Sequence, residues 1–434
     1  MNRTVKTAYA AFVVTVAALV ALAGGSLVLL AIGADPIATF KVILTEPLKD
    51  LFGITEILVR AGPLILVALG IAVAFRSGIL NIGAEGQIQV GIIAATAVAL
   101  YLPGLPKFAL LPLILIAGAI GGAFWGGIAG LLKSRLGVNE ILSTVMLNYI
   151  AAQFYTFFLR GPFLDPAEMT MGSGTPQSMR FVKAAWLDRL IPGTRLHYGL
   201  AIALVLAVFV YFLLWRTTAG FRMRAAGAEA KAARYAGVHV ERYLVGAMLI
   251  SGAFAGLAGA VEITGVHRRA IEGVSSGYGF SGIVVALFGG LHPAGIVPAA
   301  AFFGLLLLGA DMTQRAVGVP ANMVLVLQGV IILVIVAARM VIDNPYLQER
   351  IGRKLAGLFG AASEAPLIPE GSAARPSAAK ADARADAAVA FSGKGESAAA
   401  VRADEGGGVN SGGKADDGNP DAGNGDAGNG ERRA

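Results

Sequence analysis

The first 360 residues alternate between runs that contain no charged residue and short polar segments. Most of these runs approach the length of about 20 apolar residues with which a helix crosses the hydrocarbon core of a bilayer. They cover residues 7–34, 61–75, 86–106, 108–132, 141–159, 196–215, 243–261, 273–310 and 316–338. The pattern predicts an all-α polytopic membrane protein in which residues 1–360 form the transmembrane domain.

The run at 273–310 is too long for a single crossing. Residues 288–293, Phe-Gly-Gly-Leu-His-Pro, interrupt it with two glycines and a proline, which favours two passes joined tightly at one membrane face. The predicted total is therefore about ten transmembrane helices, some of them broken by glycine. The first run is longer than the apolar part of a typical signal peptide, so we expect it to be a retained helix.

The basic residues predict the orientation of the helices. An even number of passes places both termini on the same side, and cytoplasmic segments are enriched in lysine and arginine. Six basic residues fall in the loop 216–242, and five are spread over the longer segment 160–195. We therefore expect both termini and the loop 216–242 to be cytoplasmic.

Composition narrows the class of protein further. The chain is 56% hydrophobic and 15% charged, whereas an average soluble domain carries about a quarter charged residues. The sequence has no cysteine, which excludes a disulfide scaffold, thiolate metal sites and a cysteine nucleophile. The net charge of +7 comes from basic residues between the apolar runs, which is typical of topology signals rather than of a nucleic-acid surface.

From residue 361 the composition changes to alanine, glycine, aspartate and asparagine, with few large apolar side chains. Such a segment buries too little apolar surface to offset the entropy of ordering it. Residues 361–434 are therefore predicted to form a disordered cytoplasmic tail.

Glycines recur at helical spacing in two of the runs. Small residues three or four positions apart let helix backbones approach closely inside a membrane. The two sets are Gly118, Gly122, Gly126 and Gly130, and Gly252, Gly256 and Gly259. They predict a tightly packed bundle.

Residues 75–87, Phe-Arg-Ser-Gly-Ile-Leu-Asn-Ile-Gly-Ala-Glu-Gly-Gln, contain more polar and flexible residues than packing requires. The preceding charge-free run of 15 residues would measure about 22 Å as a helix, which is short for a crossing. Broken helices at membrane depth border protein or water and often form substrate paths. We predict that Asn81, Glu85 and Gln87 lie on such a path. Glu85 would either accept hydroxyl groups of a solute or bridge two helix ends.

The loop 216–242 is the second unusual segment. Residues 228–236, between Gly227 and Gly237, are nearly all good helix formers and predict a short helix outside the bilayer. Its cations would suit anionic lipid. However, it has few bulky residues to anchor in acyl chains, so a groove on another protein is the better match.

Three segments together resemble the permease subunits of ABC importers for nucleosides and simple sugars, within the type II family named for branched-chain amino acid transport. They are residues 81–87, residues 137–150, and the loop 216–242 followed by 251–259. The resemblance covers about residues 1–350 in the same order. It implies a ten-helix permease that translocates nucleosides across the bacterial inner membrane, with simple sugars such as ribose as the alternative substrate.

The same resemblance implies the partners. These are a cytoplasmic ABC ATPase that binds ATP and Mg²⁺, a second permease subunit that forms a heterodimer with this chain, and an extracytoplasmic substrate-binding lipoprotein. The chain itself has no Gly-x-x-x-x-Gly-Lys-Ser/Thr loop, so we expect no cofactor in it and no enzymatic activity. The residues similar to the family's ATPase-coupling helix are Gly227, Ala228, Glu229, Ala230 and Gly237.

The predicted substrate path draws on residues from both halves of the chain. Glycine-interrupted segments at 279–282 and 289–290 form a weak echo of 81–87, and such matching breaks point to a central path. The amides of Asn81, Gln87 and Asn148 and the ring of Phe280 would guide a base or a sugar ring, together with Glu85.

Three other classes of function remain open from the sequence. In an ion-coupled secondary transporter, Glu85 or Glu262 would be the ion site. A membrane enzyme would need a catalytic cluster, and the four histidines lie on scattered segments without metal-ligand spacing. A channel would not need the helix at 228–236.

Overall fold

The structure, a computed structural model, describes residues 3–172 and 174–318 and, further along, 326, 329–330, 333–334, 337–338, 340–342 and 344. Within these residues the protein is helical, apart from loops and isolated β-bridges. The described α-helices are α1 Arg3–Ala31, α2 Pro36–Thr45, α3 Leu51–Arg76, α4 Ala84–Tyr101, α5 Lys107–Leu136, α6 Glu140–Arg160, α7 Pro166–Met171, α8 Gly199–Arg216, α9 Thr218–Ala228, α10 Ala230–Tyr235, α11 Val240–Glu262, α12 Tyr278–Phe288 and α13 Pro293–Val317. The predicted tail at 361–434 lies outside the described residues.

Six of the described helices are long and apolar enough to cross a membrane, namely α3, α5, α6, α8, α13 and α11 with the π-helical turn that follows it. A seventh span results if Thr15–Ala31 and Pro36–Leu48, which are bent by 119°, are counted as one. The prediction of an all-α polytopic membrane protein is confirmed. The count of ten stays a prediction, because most of the last predicted run, 316–338, lies outside the described residues.

Helix α3 corrects one length estimate. It begins at Leu51, where the Asp50 carboxylate accepts a hydrogen bond from the Gly53 amide at 2.6 Å, and it runs for 26 residues, about 39 Å. The expectation of a short crossing at 61–75 is therefore wrong. The charge-free run starts only after Glu56 and Arg60, so it leaves out the first turns of α3. The helix accommodates these two charged residues because each pairs with an opposite charge on another element.

The long run 273–310 is broken at the predicted place, since α12 ends at Phe288 and α13 begins at Pro293. Gly290 and Leu291 adopt positive φ angles of 70° and 54° between the two helices. However, α12 has 11 residues, about 16 Å, which is too short for a full crossing. The prediction of two complete passes is therefore wrong for the first of them.

Helices α5 and α11 cross at the predicted glycines, and α4 joins them at Gly91, which was not among those predicted. A Cβ atom on Gly122 would lie 2.2 Å from the carbonyl oxygen of Gly252, and one on Gly256 would lie 2.1 Å from that of Gly118. On α4, a Cβ on Gly91 would lie 2.3 Å from the Gly256 Cα. The backbones therefore touch directly, as the glycine spacing predicts. Helix α3 is buried along most of its length and packs against α11, α13, α12 and α8.

Candidate functional site

The side-chain amides of Asn81 and Gln87 hold the break between α3 and α4 together. The Asn81 side chain is fully buried, and its Nδ2 donates to Gln87 Oε1 at 2.9 Å and to Ser251 Oγ at 2.8 Å. Its Oδ1 accepts from the backbone amide of Gly83 at 2.9 Å. Gly78 supplies the positive φ angle of 84° that ends α3. The polar groups of the break are thus satisfied within the protein, as apolar surroundings require.

Asn148 connects the same break to α6. Its Oδ1 accepts from the Gly86 amide at 2.8 Å, and its Nδ2 donates to the Ile82 carbonyl at 3.0 Å. The first of these bonds satisfies an amide in the first turn of α4 that has no partner within its own helix. Asn148 therefore completes the backbone hydrogen bonding that the break leaves open.

Glu85 joins the break to the second half of the chain. Its carboxylate accepts from the Gly279 amide at 2.8 Å, and Ser275 and the Gly277 backbone also hydrogen-bond to it. Negative charge at the start of α12 complements the unpaired amides and the dipole of that helix. Position 279 must be glycine, since a Cβ there would lie 2.3 Å from the Glu85 nitrogen. In this conformation Glu85 bridges two helix ends, the second of the two roles considered for it.

Phe280 differs from the other predicted path residues. Its side chain is half exposed on α12, whereas Asn81, Glu85, Gln87 and Asn148 are all buried. The structure thus brings four of the five residues into one buried cluster and leaves the fifth at a surface. Their role in a substrate path stays a prediction, because a solute would reach the four buried groups only after the break opens.

The loop 216–242 contains two helices, where the sequence predicted one. Glu229 is extended, with φ of −154° and ψ of 98°, and its carboxylate accepts from the Lys231 amide at 3.2 Å. It therefore caps α10, while Gly227 and Ala228 belong to α9. The short helix expected at 228–236 is confirmed as α10, but it begins at Ala230 because Glu229 is its N-cap. Helix propensity alone did not predict α9, which ends at Ala228. Gly237, with φ of 82°, follows the end of α10 as predicted.

Gly227 places α9 directly against the break. A Cβ at Gly227 would lie 2.2 Å from the Arg76 carbonyl oxygen and 2.7 Å from the Gly78 nitrogen. The Arg76 guanidinium in turn donates to the carbonyl oxygens of Gly290 and Leu291, both at 3.1 Å. Arg76 therefore connects the loop, the break after α3 and the break before α13. The sequence analysis did not assign Arg76 a role, since its partners are more than 200 positions away in the chain.

Tyr235, on the solvent-exposed side of α10, is the most exposed large apolar side chain of the described residues, with 94% of its surface accessible. Lys231, Ala232 and Arg234 are exposed beside it, and Arg234 pairs with Glu241 at 2.6 Å. An aromatic ring so exposed contributes little to the fold and is typical of an interface anchor. Elsewhere, the described residues contain no group of histidine, aspartate and glutamate side chains arranged to hold a metal ion.

The chain matches the family described as branched-chain amino acid transport system / permease component over residues 53–336. It is 38% identical to the glucose ABC transporter permease protein TsgB13 of Haloferax volcanii, over 76% of this chain and 88% of that protein. Identity to the guanosine ABC transporter permease protein NupP of Bacillus subtilis is 36%, over 74% of this chain and 92% of NupP. A second Bacillus subtilis guanosine permease protein, NupQ, is 30% identical over 57% of this chain and 78% of NupQ.

The chain therefore belongs to this family of multi-pass membrane permeases and is a component of an ABC transporter, not an enzyme. The resemblance seen in the sequence is confirmed. Membership of the family implies that the permease works with an ATPase and a substrate-binding protein.

Proposed function

We propose that this chain is the permease subunit through which an ATP-driven importer moves nucleosides across the bacterial inner membrane. The observation that carries the proposal is the similarity to NupP, which extends over 92% of that guanosine permease. The hydroxyl and amide groups of a nucleoside also suit a path whose polar groups are carboxylates and amides, such as Glu85 and Asn148.

In this proposal α10 docks on a cytoplasmic ATPase, which binds ATP and Mg²⁺. Closure of the ATPase would move α10 and α9, and the backbone contact of Gly227 with Arg76 would pass the movement to the end of α3. Because Arg76 also binds the carbonyls of Gly290 and Leu291, both breaks would respond together. The bound nucleotide acts only through its different affinity for the two arrangements of the ATPase.

Opening of the breaks would release the hydrogen bonds of Asn81, Glu85, Gln87 and Asn148 and make these side chains available to the solute. Phe280 would offer a ring face to a base or sugar at the adjacent surface of α12. Such contacts are weak enough for the solute to leave again, which transport requires.

The remaining partners follow the same proposal. A second permease subunit would complete the path as a heterodimer, in line with the similarity of this chain to both NupP and NupQ from one organism. An extracytoplasmic lipoprotein would deliver the substrate to the face opposite the α9–α10 loop. The basic residues of that loop would keep it, and both termini, in the cytoplasm.

A simple sugar is the second candidate substrate. The observation that favours it is the 38% identity to TsgB13, a glucose permease, which is at least as high as the identity to NupP.

Uptake by the assembled importer tests the substrate. Liposomes that carry the chain with its ATPase, second permease and binding protein, and that contain ATP, are offered labelled guanosine, uridine, glucose, ribose and leucine. We expect guanosine and uridine to accumulate and leucine to stay outside. Accumulation of glucose or ribose without any uptake of nucleosides would contradict the nucleoside proposal and favour the sugar.

A further inference from the structure

A cavity of about 300 Å³ lies between the ends of α3, α11 and α13. It is on the face opposite the α9–α10 loop, since Glu56 in its wall precedes Arg76 by 20 residues, about 30 Å along α3. Its volume is at the lower end of the range of roughly 300–1,000 Å³ that is typical of small-molecule sites. The charged and titratable residues that line it are Glu56, Arg60, Arg195, Glu262, His267, Tyr278 and Asp311.

Two carboxylates in the wall of this cavity are incompletely paired. Glu56 is 4% exposed, and its Oε2 lies 3.4 Å from the guanidinium of Arg195. Glu262 is 6% exposed, and its Oε1 lies 3.4 Å from Nε2 of His267. Among the residues that the structure describes, neither Glu56 Oε1 nor Glu262 Oε2 has a hydrogen-bond partner. A buried carboxylate oxygen without a donor is costly, so each of these oxygens favours a donor group supplied from outside the chain.

The charges that line the cavity nearly balance, which suits an uncharged ligand. Three carboxylates face two guanidinium groups, and Arg60 and Asp311 already pair at 2.5 Å. With a neutral imidazole at His267 the lining carries a net charge of −1, and with a protonated one it is neutral. A metal ion does not fit, since the described residues provide no cluster of ligands for one. Free carboxylate oxygens beside guanidinium donors match hydroxyl groups, which both donate and accept hydrogen bonds.

Two residues that line the cavity also lie near the break between α3 and α4. Tyr278 and Glu262 line the cavity and also a seam below it that has no room for a water molecule. Ser275, which hydrogen-bonds to Glu85, also lines that seam. The cavity is therefore separated from the break by one closed layer of side chains at the start of α12.

We infer that this cavity binds an uncharged solute rich in hydroxyl groups, and that Glu56 and Glu262 accept hydrogen bonds from it before it passes the closed layer at Tyr278. This inference rests on the proposed function, which gives the cavity an outward-facing position and the solute a route through the chain.

Cysteine labelling tests occupancy of the cavity independently of transport, because the natural chain has no cysteine. Val266 lines the cavity, whereas Val182 is exposed in the loop before α8 and lies outside its lining. V266C and V182C importers in liposomes are treated with a membrane-impermeant thiol reagent, with and without guanosine or glucose. We expect saturating solute to slow labelling of V266C at least about threefold and to leave labelling of V182C unchanged. Equal labelling of V266C in all conditions would overturn the inference.

Uptake by carboxamide variants tests the two carboxylates. Glu56→Gln and Glu262→Gln remove the charge with little change of shape, and Glu272→Gln makes the same change in an exposed ion pair with Arg160. A hydrogen bond to a charged group contributes enough to change affinity about tenfold or more, so we expect the KM for uptake to rise about tenfold in the first two variants only.

The outcomes of these experiments separate the two proposals. If the unsubstituted importer takes up neither nucleosides nor sugars but V266C is protected by one of them, the proposed function fails and the cavity inference stands. If uptake is normal in both carboxamide variants and V266C is unprotected, the cavity inference fails and the proposed function stands.

Discussion

Replacing Gly256 by alanine is expected to remove most of the folded permease from the membrane. The added methyl group would lie 2.1 Å from the Gly118 carbonyl oxygen and 2.9 Å from the backbone of Gly122, so α5 and α11 would have to separate. Overpacking costs about 1–3 kcal/mol where side chains can adjust. Here the obstacle is backbone, and we expect a loss of at least about 3 kcal/mol, a large part of the roughly 5–15 kcal/mol by which folded proteins are stable.

Gly246 provides the matched control on the same helix. A Cβ there would meet nothing within 4 Å, so Gly246→Ala is expected to stabilise α11 slightly, by about 0.5–1 kcal/mol. The measurements are the monodisperse yield after solubilisation and the midpoint of thermal unfolding. Similar yields and midpoints for the two variants would show that the helices do not touch at Gly256.

Replacing Tyr235 by alanine is expected to reduce ATP-driven uptake at least about tenfold while the permease folds normally. Its ring is 94% exposed and so adds little to the stability of this chain, but truncation of an aromatic anchor in an interface typically costs at least about 2 kcal/mol of binding free energy. Glu229 is a less informative target, because it caps α10 and its replacement would disturb the helix as well as the docking.

Tyr101→Ala is the control for this experiment. Tyr101 is also exposed, at 64%, but it ends α4 on the face away from the α9–α10 loop. Both variants are assayed for co-purification of the ATPase and for uptake by the assembled importer. Normal co-purification and uptake with Tyr235→Ala would mean that α10 is not the docking element.

Local patterns in the sequence predicted the features that depend on residues close together in the chain. The apolar runs predicted the helical membrane class, the glycine spacing predicted the close crossing of α5 and α11, and the glycines and proline at 288–293 marked the break before α13. Each of these features follows from the helical period or from the backbone preferences of single residues.

Features that depend on distant partners were not predictable in this way. The helix predicted from the charge-free run was shorter than α3, because the sequence does not show that Arg60 pairs with Asp311, 251 positions away. Likewise, the motif around Asn81 indicated a broken helix but not that Ser251 would accept its hydrogen bond. In the conformation described, the buried path residues bond to one another and to nearby backbone. A role in transport would require a second conformation in which the break is open, and no local sequence pattern predicts the contacts of that state.

Energy coupling in a reconstituted system tests the central claim most directly. Liposomes are prepared with the purified chain alone or with its ATPase, second permease and binding protein, and each preparation is given either internal ATP or an inward proton or sodium gradient. We predict that solute accumulates only in the complete assembly and only with ATP. Accumulation by the chain alone, driven by an ion gradient, would contradict the account.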